Sequence, residues 1–297
     1  MPPIEILSLI ISAILLAGLY ATMSYGLALI YGVMKIVNLS HAGFMMLGAY
    51  AAFVLISPVY GLQLNPFIPP LIVVPTFFVL GMGLQRFVVR RVVGQPMITS
   101  LLLLFGLWLI IQNIAYVIFT ADTRTITIPW LLQPIRIGEE LRISTNRTVV
   151  FTMGAITLLL LQLFMSRTML GKAIRATATD PDAAALVGVN TARVQMIAFG
   201  LGIALAGLAG ALMSLVYSFD PDWGRSHLLK SFSIVVLGGL ESFVGVALGS
   251  IVLALVETFS VPIGVPIALQ DLMSFALLVI VLVVMPGGIM GLLQRRT

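Results

Sequence analysis

Cysteine is absent from all 297 residues, which excludes disulfide frameworks and thiolate metal sites. Only two histidines occur, so the chain is poor in metal ligands and no metal site is expected. Charge is scarce: 9% of residues are charged and 60% are hydrophobic, against roughly 25% and 45–50% in soluble domains. That balance excludes a soluble globular protein. No Gly-x-x-x-x-Gly-Lys-Ser/Thr phosphate loop is present, so the chain is not an ATPase by that route. Neither an intramembrane aspartate pair nor a Ser/His/Asp cluster points to a membrane hydrolase.

The few charges are segregated. No Asp, Glu, Lys or Arg lies within 6–34, 36–85, 92–121, 148–166, 194–219 or 272–294. Each gap approaches or exceeds the ~20 residues that cross a ~30 Å hydrocarbon core, where only helices or closed barrels satisfy the backbone. The runs are continuously apolar, without period-2 alternation, which selects helices. The fold class is therefore all-α, a polytopic membrane protein with about 8–9 spanning or partly spanning helices. They are expected near 8–31, 42–57, 66–85, 97–119, 148–166, 195–219, a short 231–240, 243–259 and 270–286. The start, Met-Pro-Pro-Ile-Glu, lacks a basic n-region, and the first apolar stretch reads as a retained helix.

With the N-terminus outside and the C-terminus cytoplasmic, Lys35, Arg86, Arg90, Arg91, Arg167, Lys172, Arg175, Arg193, Arg295 and Arg296 fall inside. Arg124, Arg136, Arg142, Arg147, Arg225 and Lys230 fall outside, an asymmetry of the kind the positive-inside rule describes. The net charge of +5 reads as that asymmetry, and no nucleic-acid role follows. Between Asp220–Lys230 outside and Arg295–Arg296 inside an odd number of crossings is needed. The short stretch 231–240, ending in Gly238-Gly239, therefore reads as a half-length or broken helix lining a cavity. Asn38-Leu39-Ser40-His41 before a short Gly/Ala-rich helix has a similar layout. Gly202, Ala206 and Gly210 recur every four residues, a spacing for close helix packing.

From 167 to 194 the connector is longer than a turn requires. Asp180 is placed as an N-cap, Pro181 at the first helical position, Asp182 in the first turn and Gly188 as the stop. A short cytoplasmic helix results, suited to docking in a partner's groove or to lying at the membrane interface. Asp182-Ala183-Ala184 followed by Gly188 resembles the Glu-Ala-Ala-x-x-x-Gly loop by which importer permeases engage ATP-binding cassette subunits, with Asp for Glu and without the Leu-Pro that ends the longer signature. Val37 to Gly43, Met45 to Tyr50, Val236 to Leu240 and Met285 to Gly291 resemble, in order, the LivH family of high-affinity branched-chain amino-acid permeases. Two departures stand out: His41-Ala42-Gly43 for the family's His-Gly-Ala, and Glu241-Ser242 for its Gly-Ser. Glu241 reads as a headgroup-level side chain or a local gate.

The resemblance implies one permease domain over 1–297 with a coupling loop at about 167–194. It implies a heterodimer with a paralogous permease, two cytoplasmic ATPases that bind the ATP, and an external solute-binding protein. The chain itself would be no enzyme and would hold no cofactor. Arg175, Asp180, Asp182, Ala183, Ala184 and Gly188 are the expected ATPase-coupling residues, and Asn38, Ser40, His41, Gly238 and Gly239 the expected path residues. The cargo implied is a branched-chain or related amino acid, with urea or short amides as the alternative. An ion-coupled carrier is the rival class; it would keep ionisable groups at mid-depth, and the spans read as nearly free of them. Asn38 and Ser40 read as solute contacts or helix caps, His41 as a gate or a cap, Gln112 and Asn113 as interhelical bonds, and Glu257, within a hydrophobic run but near the outer end of its helix, as a functional candidate or a boundary side chain.

Overall fold

The computed structural model describes residues 3–58, 62–138, 141–239, 242–266, 269–285 and 287–290. Among the described residues each charge-free gap contains helix, as an unsatisfied backbone in hydrocarbon requires. The order is α1 (Pro3–Met34), α2 (His41–Ile56), α3 (Ile68–Phe87), α4 (Met97–Phe119), α5 (Thr145–Arg167), α6 (Met169–Thr179), α7 (Pro181–Leu186), α8 (Thr191–Met213), α9 (Gly224–Gly238), α10 (Phe243–Ser260) and α11 (Gln270–Val284). One hairpin, β1 (Ile135–Ile137) antiparallel to β2 (Leu141–Ile143), precedes α5. The chain is a polytopic, multi-pass membrane protein. Among the described residues seven helices are long and apolar enough to span, and α2 is a shorter apolar helix.

The nine expected segments all occur, with two shifts. The helix expected over 195–219 ends at Met213, and the stretch after it carries Phe219 into an isolated bridge with Arg124. The helix expected over 231–240 begins at Gly224, seven residues earlier, so it carries Lys230 within it. At about 1.5 Å per residue, α9, with its 15 residues, measures about 22 Å and α2, with its 16, about 24 Å. Both fall short of a full crossing, whereas α1, at 32 residues or about 48 Å, exceeds one.

Small residues decide where the centre lies. Helix α8 is 89% buried over its apolar window and packs along α3, α1 and α2. A Cβ on Gly81 would lie 2.9 Å from Gly200 Cα, and one on Gly202 would lie 2.8 Å from the Gly26 carbonyl. Backbones this close leave no room for side chains, which is how apolar helices gain contact in lipid. Helices α4, α5 and α11 are only 22%, 17% and 18% buried in theirs. Their outward Val117, Leu159 and Val283 are exposed, as suits a lipid-facing rim.

The last three helices alternate in direction. Gly239, at the end of α9, approaches Gly287 and Gly288 beyond α11, whereas Lys230 in α9 meets Asp271 at the start of α11. Three helices of alternating direction therefore follow residue 220 within the described residues. Arg295 and Arg296 themselves, like Glu241, Pro286 and Gly291, lie outside the described residues.

Candidate functional site

Three places bring chemistry-bearing residues together. The first is the pair α6–α7, which stands outside the long helices. Thr168 caps α6 by accepting from the Gly171 N–H at 3.0 Å. Asp180 Oδ1 accepts from the N–H groups of Asp182 and Ala183, each at 2.9 Å, which satisfies two of the helix's orphan donors. At the other end Gly188 has φ +88°. Its N–H donates to Ala185 O at 3.0 Å, and the Val189 N–H donates to Ala184 O at 3.1 Å, the paired closure of a left-handed glycine cap. Ala184 is buried beneath the helix, while Leu186 and Val187 are 90% and 81% exposed. Asp182 and Ala183 are exposed. Arg175 on α6 lines a small cavity with Gly32, Val33 and Phe243, which sets it against the ends of α1 and α10.

The second place is the re-entry before α2. Lys35 takes φ +55° and closes α1 with its N–H on Tyr31 O at 2.7 Å. The chain then doubles back, since His41 Nε2 lies 2.8 Å from Met23 O, about three turns up α1. A carbonyl only accepts, so Nε2 carries the proton in this bond and Nδ1 is a bare acceptor. Ser40 Oγ donates to Asn38 Oδ1 at 2.5 Å rather than capping α2. Asn38, Ser40 and His41 are fully buried, and Asn38 Nδ2 and His41 Nδ1 have no hydrogen-bond partner. Beside them begins α9, because a Cβ on Gly224 would lie 3.0 Å from the Ala42 carbonyl carbon. The two short helices thus start side by side, and both positive dipole ends lie at this depth. At its far end α9 closes on α10: a Cβ on Gly238 would sit 2.6 Å from Val246 N, and Gly239 has φ +102°. Asn38, Ser40 and His41 are thus together at one end of α9 and Gly238 with Gly239 at the other.

The third place gathers residues from four helices, of which the sequence offered only Glu257 as a candidate. Lys230 Nζ lies 3.1 Å from Glu257 Oε1 and 2.9 Å from Asp271 Oδ1. Tyr20 Oη and Ser274 Oγ both donate to the Glu257 carboxylate. The Lys230 and Glu257 side chains are 10% and 3% exposed, whereas Asp271 is 47% exposed. Asp271 borders an open polar vestibule shared with Asp220, Asp222, Arg225 and Ser226. The reading of spans nearly free of ionisable groups is thereby corrected. A buried charge persists because its partner and further hydrogen bonds compensate its desolvation. The signal available in the sequence was one cation and one anion, Lys230 and Glu257, each isolated in an apolar stretch.

Other expectations divide. Gln112 donates to Asp222 at 2.7 Å, a bond between segments, whereas Asn113 bonds Leu109 O of its own helix at 2.8 Å. Trp130 stacks on Phe67 and Trp108 meets Phe105 edge-on, which is packing. Among the described residues no group of three or more His, Asp or Glu could hold a metal ion.

Comparison with known proteins adds the family. The family described as branched-chain amino acid transport system / permease component matches over residues 9–282. The high-affinity branched-chain amino acid transport system permease protein LivH of Salmonella typhimurium (strain LT2) is 29% identical over 295 residues, covering 94% of each chain. The corresponding permease protein BraD of Pseudomonas aeruginosa is 30% identical over 296 residues, covering 95% of this chain and 94% of that one. The fructose import permease protein FrcC of Rhizobium meliloti is 34% identical over 113 residues, 36% of this chain and 31% of that one. No solved structure gives a significant match. With the family model covering nearly the whole chain and the LivH and BraD permeases aligned along almost all of it, this protein belongs to the branched-chain amino acid transport system permease family.

Proposed function

We propose that this chain is one transmembrane subunit of an ATP-driven importer for branched-chain or related amino acids. It would work as one permease domain with a paralogous permease, two cytoplasmic ATPases that bind the ATP, and an external solute-binding protein. It would hold no cofactor of its own. The observation that carries the reading is α7, a helix of six residues closed at both ends and presenting exposed Leu186 and Val187 away from the bundle. Exposed apolar side chains on a rigid, capped projection suit a groove on another subunit. In this role Asp180 and Gly188 fix the helix, Asp182, Ala183 and Ala184 shape its face, and Arg175 links α6 to the ends of α1 and α10. The N-terminus lies outside and the α7 face is cytoplasmic.

Solute would pass beside the two short helices. Asn38, Ser40 and His41 sit where α2 and α9 begin, and Gly238 and Gly239 let α9 close against α10. Broken or half-length helices that bring dipole ends to mid-depth are a recurrent way to receive a polar solute in a bilayer.

One observation favours a second reading. The buried Lys230–Glu257 pair is the kind of intramembrane ionisable group that an ion-coupled carrier uses. Reconstitution of the complete complex in vesicles separates the two. With ATP inside the ATPase compartment and no ion gradient, leucine uptake is expected; uptake driven by an imposed proton or sodium gradient without ATP would replace the importer reading. Competition by valine, isoleucine, urea and acetamide in the same vesicles identifies the cargo class, and preference for urea or acetamide would move it to amides.

A further inference from the structure

At the membrane boundary on the α7 side, the end of α3 and the start of α8 enclose a cavity of about 350 Å³ lined by Gln85, Arg86, Arg90, Asn190, Ala192, Arg193 and Met196. Three arginines line it, and none of them forms an ion pair with a carboxylate among the described residues. Arg193 stands in the first turn of α8, where the helix dipole is positive and a cation is disfavoured. The arrangement is therefore electrostatically incomplete as it stands, and a bound anion would complete it. A second, independent feature points to what that anion carries. Gln85 is only 2% exposed, and its Oε1 has no hydrogen-bond partner. A buried carbonyl oxygen without a donor is costly. In a pocket this basic the missing donor is better a neutral hydroxyl than another ammonium.

We infer that this pocket binds the headgroup of an anionic glycerophospholipid bearing free hydroxyls, of the phosphatidylglycerol type, with the arginines on the phosphodiester and Gln85 on a headgroup hydroxyl. Basic pockets between helices at the cytoplasmic boundary are suited to anionic headgroups. The surface leading away from the pocket favours a lipid over a soluble anion. Val79 and Phe87 are 63% and 65% exposed and share a face of α3 with Gly83, whose added Cβ would meet nothing within 4 Å. They give α3 an exposed apolar strip beside Arg86, against which an acyl chain would lie.

The test uses the full chain in complex with its partner subunits, stripped of lipid in detergent and offered mixed micelles, with bound lipid measured by mass spectrometry. Phosphatidylglycerol is expected to be retained over phosphatidylcholine. Each of Arg86→Gln, Arg90→Gln and Arg193→Gln should weaken retention by about fivefold, the usual worth of one basic side chain near an anionic lipid. These arginines are exposed, so the single variants keep the fold even where the triple variant does not. Gln85→Leu should lower retention of phosphatidylglycerol while leaving phosphatidylmethanol, an anionic phosphodiester without a hydroxyl, unchanged. Equal retention of phosphatidylglycerol and phosphatidylcholine, or arginine variants indistinguishable from wild type, would overturn the assignment. So would displacement by sn-glycerol 3-phosphate at matching concentration, which would mark a soluble-anion site. Loss of the ATPase subunits with lipid retention intact would assign the arginines to protein docking instead. None of these readouts depends on the transported solute.

Discussion

Lys230 Nζ and Glu257 Oε1, 27 positions apart in sequence and 3.1 Å apart in space, join α9 to α10 inside the bundle. Tyr20 from α1 and Ser274 from α11 donate to the same carboxylate, so four helices meet on one charged group. Removing Lys230 leaves the Glu257 carboxylate buried without its cation, a loss on the order of 3–5 kcal/mol, whereas removing Glu257 leaves Lys230 still paired with Asp271. Lys230→Met is expected to lower thermal stability and expression sharply, and Glu257→Gln to do so less, because Asp271 still pairs with Lys230. The double variant removes both charges and should recover most of that loss, since a buried ion pair and a neutral pair of similar volume are often near parity. Asp271→Asn, at the solvent-open end of the network, should cost far less. Denaturation of the four proteins in one detergent checks the cycle, and a double variant as unstable as the sum of the singles would show that the two side chains act independently.

Gly188 offers a cleaner test of the α7 cap, because a Cβ there would touch nothing within 4 Å and the only obstacle is the backbone at φ +88°. Left-handed geometry costs a non-glycine residue about 1–2 kcal/mol, least for Asn and most for β-branched residues. Gly188→Asn should keep ATP-dependent uptake and Gly188→Val should lose it, with both variants inserted in the membrane. Equal uptake by the two would remove the cap from the coupling role.

The α7 segment was readable in advance because its signals are local: Asp180, Pro181 and Gly188 each act within one turn. The spans were readable for the same reason, as solvation alone decides whether an apolar run of ~20 residues becomes helix. Lys230 was misplaced because its surroundings are tertiary. A charge near a span boundary looks solvated until the partner is known, and Glu257 and Asp271 arrive from helices that begin 13 and 40 residues later. The doubling back of Asn38 to His41 was equally hidden, since only contact with Met23 fixes its depth. Ser40, a natural cap by type, bonds Asn38 instead.

Orientation can be read from single cysteines, which have no background in a chain without cysteine. Ala184 is buried and unsuited, but Ala185 on α7 and Thr127 on the opposite side are exposed. An impermeant maleimide applied to intact cells should label Thr127→Cys and spare Ala185→Cys until the membrane is opened. The reverse pattern would invert the proposed topology.

Gly238 and α10 define a contact rather than a hinge by composition alone: a Cβ on Gly238 would meet the Gly245 backbone and lie 2.6 Å from Val246 N. Backbone atoms at that distance cannot rotate aside as a side chain would. Gly238→Leu is expected to separate α9 from α10 and abolish uptake, and Gly238→Ala to impair it, while the exposed Val244→Leu, one position before Gly245, leaves both intact. Uptake by Gly238→Leu at the wild-type rate with normal membrane insertion would refute the need for close approach.

Solute selectivity should reside mainly outside this chain. An amino-acid zwitterion is held tightly where a cation and an anion are free to meet it, yet the ammonium of Lys230 is already shared by Glu257 and Asp271 at 3.1 and 2.9 Å. A solute carboxylate would have to compete with both, and displacing Glu257 would leave a buried charge unpaired, which is costly. At the junction of α2 and α9 the groups without partners are neutral: Asn38 Nδ2 can donate and His41 Nδ1 can accept, each hydrogen bond being worth about 1 kcal/mol net. Two such bonds beside a pair of helix dipoles fall well short of the roughly 8 kcal/mol that micromolar affinity demands. Binding of leucine and valine to the purified permease pair, measured by calorimetry without the solute-binding protein, should therefore be millimolar or undetectable. Uptake should follow the preference of whichever binding protein is supplied. Low-micromolar leucine binding that disappears in Asn38→Ala would instead make the junction of α2 and α9 a selective site in its own right.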